Sequence, residues 1–145
     1  MVTVEDIAEA WGWKGLQPGR IVAVNAFGHV IVEDTSGFNW RIIPEDWNAQ
    51  IVASDQNALS ELFGIDDFVI DWEMKRVVAL AEAGLGPISE ERCYCLKVPA
   101  ILGGKYVLEN MGLINRREVI RCAGDCAQQI DGLPDGTTIR LEVVE

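Results

Sequence analysis

The sequence predicts an α+β fold, a mostly antiparallel sheet with helices packed against it, over residues 1–145 as a single domain. Three observations predict it. Residues 20–43 hold three strand-like runs separated by turn-forming residues, residues 54–84 carry helical periodicity, and the remainder reads as strand, loop, short strand, helix and last strand. A chain of 145 residues with 49% hydrophobic content has the material for one core, and no linker, repeat or low-complexity tract divides it.

Thr3, followed three residues later by Asp6, predicts a capped helix through Trp11 with Ile7, Ala10 and Trp11 on one side. Gly12, Gly15, Pro18 and Gly19 then punctuate a loop. "RIVAVNA", "HVIVED" and "FNWRII" follow as strands of a meander, turned at Phe27-Gly28 and Thr35-Ser36-Gly37. In the third run, alternation puts Phe38, Trp40 and Ile42 on one face and Asn39 and Arg41 on the other. A further short strand is expected near Gln50 to Ala53. Ser54 or Asp55 caps a helix through Phe63, ended by Gly64.

Asp66 or Asp67 opens a longer helix, "DFVIDWEMKRVVALAEAG". Ile70, Met74, Val77 and Ala81 form one apolar stripe, whereas Phe68 and Trp72 lie about 180° away at 3.6 residues per turn. Such a helix is either sandwiched in the core or presents one side to a partner. In the second case Phe68 and Trp72, flanked by Asp67 and Asp71, form an aromatic anchor with an acidic rim. Beyond it lie a strand at Arg92 to Val98, a short strand near Gly112 to Asn115, a helix from about Arg117 to Ile130, and a last strand at Thr138 to Val144. Leu133-Pro134-Asp135-Gly136 reads as a turn.

The net charge of −11 is uneven: residues 1–73 carry 13 acids and 3 bases, residues 74–145 carry 10 and 9. No base occurs between Arg41 and Lys75, while Glu45, Asp46, Asp55, Glu61, Asp66, Asp67, Asp71 and Glu73 all do. Such a face repels nucleic acid and anionic membrane and steers a basic partner toward itself; it also serves plain solubility. No apolar stretch nears the roughly 20 residues that span a bilayer, and the acidic N-terminus is unlike an export signal. The expectation is a soluble cytoplasmic protein. In that compartment Cys93, Cys95, Cys122 and Cys126 read as buried thiols, with zinc ligation the competing assignment.

No catalytic constellation or cofactor motif emerges. "KVPAILGGKY" places glycines before a lysine, but a phosphate-binding loop needs an earlier glycine and a Ser or Thr after the lysine, where Tyr106 stands. Pro99, Gly103 and Gly104 therefore read as a turn requiring positive φ or close backbone approach. His29, the single histidine, has no nucleophile to pair with and is expected at a surface or strand end. The residues alone leave open a binding protein, a small regulatory or ligand-binding module, and a thiol–metal enzyme.

The stretches "YCLKVPAILGGKY", Glu109-Asn110, "DCAQQI" and "LPDGT", with "VNAFGHVIVEDTSGFNWRI" upstream, resemble the type VI secretion immunity protein family of the DNase-immunity type. The resemblance covers roughly residues 20–144 and is strongest after Arg92. It implies a bacterial cytoplasmic protein, not an enzyme, that binds a cognate secreted toxin such as a basic nuclease and blocks it sterically, without a cofactor. It implies a structural role for Lys97, Pro99, Gly103, Gly104 and Tyr106. Charge and resemblance together nominate Glu45, Asp46, Asp66, Asp67, Phe68, Asp71, Trp72 and Glu73 as the partner-binding set.

Overall fold

The computed structural model describes residues 1–140. Helix α1, Val4–Trp11, is capped as its sequence predicts: the Thr3 hydroxyl accepts from the Asp6 amide, and the Asp6 carboxylate accepts from the Thr3 amide. Strands β1 (Pro18–Val24), β2 (Val30–Asp34), β3 (Asn39–Ile43) and β4 (Asn48–Ala53) form an antiparallel meander in sequence order. Its β2–β3 turn is fixed by Asp34, whose Oδ1 accepts from the amides of Ser36 and Phe38, and by Gly37 at φ 92°. Helices α2 (Gln56–Leu62), α3 (Asp66–Glu73) and α4 (Lys75–Leu85) follow. Strands β5 (Arg92–Leu96) and β6 (Met111–Asn115) pair antiparallel, and α5 (Arg116–Ile130) closes the described elements. The protein is an α+β fold with antiparallel sheets.

The meander is covered on both faces, which alternation alone did not indicate. One face, with Val30, Val32, Trp40, Ile42 and Ala49, packs on Ile7, Ala10 and Trp11 of α1 and Ile120, Ala123 and Ala127 of α5. The other, with Ile31 and Ala53, packs on Leu59 of α2 and Trp72 of α3. Asn39 and Arg41, on the face opposite Trp40 and Ile42 as alternation predicts, are consequently buried under the second layer. Phe38 lies outside β3 and is exposed. A third apolar cluster joins Phe27, Ala81, Tyr94, Leu96 and Met111 between α4 and the β5–β6 pair.

Beyond this apolar packing, ion pairs and a close backbone approach hold α1 against α5. Asp6 is fully buried and accepts from Arg117 Nε and from Arg121 Nε and NH2 at 2.8–3.1 Å. Burial alone would raise its pKa, but the arginines and Thr3 hold the carboxyl well below the usual range. Gly124 provides the close approach: a Cβ there would stand 2.3 Å from the Ala10 carbonyl oxygen.

The long helix expected from residue 66 onward is broken at Met74, which takes the left-handed conformation (φ 51°, ψ 38°) between α3 and α4. The break is capped from 47 residues away: Asn25 donates its side-chain amide to the Trp72 carbonyl at 2.9 Å, where a continuing helix would have bonded its own amide. The apolar stripe through Ile70 is therefore not continuous, and Ile70 is 70% exposed. Asn25 is also the anchor of the β1–β2 turn, where its Oδ1 accepts from the amides of Phe27 and His29 and its carbonyl accepts from Arg116 NH1. Of the expected last strand, residues 138–140 have no strand structure, and the remainder lies outside the described residues.

Candidate functional site

A polar seam runs through the interior beneath the second helical layer. Arg41 projects from β3 under α3; its NH1 donates to Asp71 Oδ2 at 2.6 Å and its NH2 meets His29 Nδ1 at 2.9 Å. His29 Nε2 lies 2.8 Å from both oxygens of Glu45, and the Tyr106 hydroxyl donates to Glu45 Oε2 at 2.6 Å. A guanidinium can only donate, so Nδ1 is the acceptor and Nε2 carries the proton toward Glu45. His29 is thus a buried connector, not the surface or strand-end residue expected, and neither ring nitrogen is left for a substrate.

The seam runs from an exposed end to a half-open one. The Asp71 side chain is 71% exposed, while those of Arg41, His29 and Glu45 are almost fully enclosed. Burial would raise the pKa of Glu45, but the hydrogen bonds from His29 and Tyr106 hold it below its ordinary value. Tyr106 is pushed up, first by burial and then by the charges of Glu45, Asp46 and Asp71. Asp46 is raised, by burial and then by neighbouring Glu45. Trp72 lies flat to the network: the Arg41 guanidinium carbon is 5.2 Å from its ring centroid, and His29 meets it edge-on at 6.4 Å.

The loop that carries Tyr106 explains the glycine pair. Gly103 sits at φ 89° after a 3-10 turn at Ala100–Leu102, and Gly104 passes so close to the chain that a Cβ would stand 1.7 Å from the Val98 carbonyl oxygen. Asn110 ties the loop shut, accepting from the Val98 amide and donating to the carbonyls of Val98 and Lys105. Pro99 starts the turn, accepting from the amides of Leu102 and Gly104, and the Lys97 amide donates to the Asn110 carbonyl. Lys97 itself is exposed, its stem running beside Gly112.

The nominated residues divide. Asp46, Asp66, Asp67 and Asp71 are exposed, and Glu73, half-buried, pairs with Lys75 at 3.0 Å. Glu45 is internal. The aromatic anchor is corrected: Trp72 is only 7% exposed and packs on the sheet, and Phe68 is half-buried against Phe63, with ring centroids 5.2 Å apart. The sheet's second face takes the aromatic side of α3, so the apolar side chain offered outward is Ile70. Beside it a cavity of about 480 Å3 opens at the α3–α4 junction, and both Asp71 and Tyr106 line it.

The thiols do not behave as one group. Cys93 is buried, its thiol pushed up to about 12 mainly by burial; Cys95 and Cys126 are half-buried, and Cys122 is exposed, contrary to the expectation of burial. Among the described residues no three His, Cys, Asp or Glu side chains converge as metal ligands, and no helix is long and apolar enough to cross a membrane.

No family model matches the chain, and no curated protein matches it. Among solved structures it is similar to Atu4351 from Agrobacterium tumefaciens, with a TM-score of 0.54 and 16% identity over 83% of this chain. The chain spans 61% of that protein's length. At this identity the likeness is one of fold, and the α+β architecture is what the two chains share.

Proposed function

We propose that the protein is an immunity-type inhibitor, a binding protein without catalysis of its own that occludes a basic toxin of the nuclease class. The observation that carries the reading is the outward side of α3. Exposed Asp66, Asp67 and Asp71 surround exposed Ile70, and Asp71 is held in place by a buried arginine. A carboxylate fixed before binding loses less conformational freedom on meeting a cationic surface than a free one does. A nuclease site collects phosphates and is basic, so an acidic face of this kind meets it with complementary potential. The resemblance of "YCLKVPAILGGKY" and its neighbours to DNase-immunity proteins supports the same assignment.

The test is to co-express the chain with the protein encoded beside it in its genome, purify the complex, and assay that protein's nuclease activity. The reading expects a stable complex and loss of activity in proportion to complex formed. Absence of a complex, or a complex that leaves activity intact, overturns it.

A further inference from the structure

The cavity at the α3–α4 junction has a chemical polarity that its position alone does not reveal. Its walls are apolar: Val69 and Ile70 from α3, Met74 at the break, and Val77 from α4. Its polar groups include the two ends of the buried seam. Asp71 lines the cavity with a side chain that is 71% exposed, and it engages Arg41 through Oδ2, which leaves Oδ1 able to accept. The Tyr106 hydroxyl directs its proton at Glu45, so its oxygen is left only as an acceptor. Both ends of the seam therefore present acceptors, and both are fixed from behind by a buried partner.

A ligand that suits this wall carries donors and no acceptor, on an apolar stem. The bases lining the cavity do not reverse the argument. Lys75 is drawn onto Glu73 at 3.0 Å, and Arg76 is exposed. Glu45, Asp46 and Asp71 all lie close enough to Tyr106 to act on its phenol, and of these Asp71 lines the cavity with it. Met74, one of two non-glycine residues with positive φ among those described, forms part of the wall, so the cavity exists because the helix is broken there.

We propose that this cavity receives an arginine side chain of the partner protein, its methylene stem along Val69, Ile70, Met74 and Val77 and its guanidinium on Asp71 Oδ1 and the Tyr106 oxygen. A guanidinium fork offers several donors at once, which fits two acceptors better than a single ammonium. The proposal rests on the binding reading for the source of the arginine, and on the cavity's own chemistry for the rest.

The probe is N-acetylarginine amide, titrated into the full chain and followed by the NMR signals of the Met74 methyl and the Tyr106 ring. N-acetylnorleucine amide and N-acetylglutamate amide serve as neutral and anionic controls. A ligand of this size is expected to bind with millimolar affinity. Asp71→Asn weakens it about tenfold, the scale of one charge-assisted hydrogen bond. Ile70→Ala, at an exposed position that leaves the fold intact, weakens it a few-fold, and Arg76→Gln strengthens it. No saturable shift, tighter binding of the glutamate derivative, or weakening by Arg76→Gln overturns the proposal. If the arginine derivative binds but no toxin complex forms, the cavity stands and the inhibitor reading falls; a complex that forms with no response to the derivative gives the reverse.

Discussion

Replacing Glu45 with Gln keeps the shape of the seam and removes its central charge. In the native protein the carboxylate accepts from His29 at 2.8 Å and from Tyr106 at 2.6 Å. Hydrogen bonds to a buried charged group contribute about 1.5–3 kcal/mol and neutral ones about 0.5–1.5, so the two together lose about 2 kcal/mol on neutralisation. The Gln amide must also turn its NH2 toward one partner, which displaces a native donor and brings the expected loss to about 2–3 kcal/mol. For a chain of this size that is a fall in Tm of roughly 5–10 °C. Urea unfolding of both proteins between neutral and acid pH is the assay. Because the folded state holds Glu45 below its ordinary pKa of 4.5, the unfolded chain takes up the proton more readily. The native advantage is therefore full above the unfolded value and fades as pH falls through the lower folded one. Asp6 and Asp34 are also held low and titrate in both proteins, so the difference between them isolates Glu45. Equal stability at neutral pH, or a difference that persists unchanged into acid, would refute the reasoning.

Other substitutions probe the supports of the site. Gly104→Ala, which sets a Cβ against the Val98 carbonyl, is expected to cost about 1–3 kcal/mol and to loosen Tyr106 from Glu45, read as a fall in the Tyr106 phenol pKa. Gly124→Ala pushes α1 from α5 and destabilises the fold by a similar amount, about 1–3 kcal/mol, read by urea unfolding. Trp72→Ala costs about 3–5 kcal/mol as a buried aromatic truncation, whereas Ile70→Ala stays within about 0.5 kcal/mol, which equilibrium unfolding distinguishes directly. A thiol-reactive chromophore labels Cys122 promptly in the native protein, while Cys93 reacts only on unfolding.

What the sequence made legible follows the range over which each signal acts. The Thr3–Asp6 capping box, the meander with its Gly28 and Gly37 turns, and the Asp55 cap are local patterns, and the structure carries each of them. The α3–α4 break is not local: Met74 is an ordinary helix former, and the Asn25 amide that caps α3 lies far back in the chain. The seam was hidden for a related reason. Arg41 and Asn39 alternate with Trp40 and Ile42 as solvent-facing residues would, and only the second helical layer encloses them. Tyr106 meets Glu45 across 61 residues, through a loop whose glycines were readable as a turn but not as the means of delivering a phenol to a buried carboxylate. The acid-only segment was visible as composition; which of its members face outward depended on the packing of α3.

The most direct test of the account is the association rate between this chain and the protein encoded beside it, which the proposal takes to be its toxin, measured over a series of salt concentrations. The native protein is compared with the Asp66→Lys, Asp67→Lys, Asp71→Lys triple variant. Electrostatic steering accelerates association by about 10-fold or more at low ionic strength and is screened by salt. The account predicts that the variant associates at least about 10-fold more slowly at low salt, that the two rates converge as salt rises, and that the native rate alone falls steeply. Equal rates at low salt would contradict it.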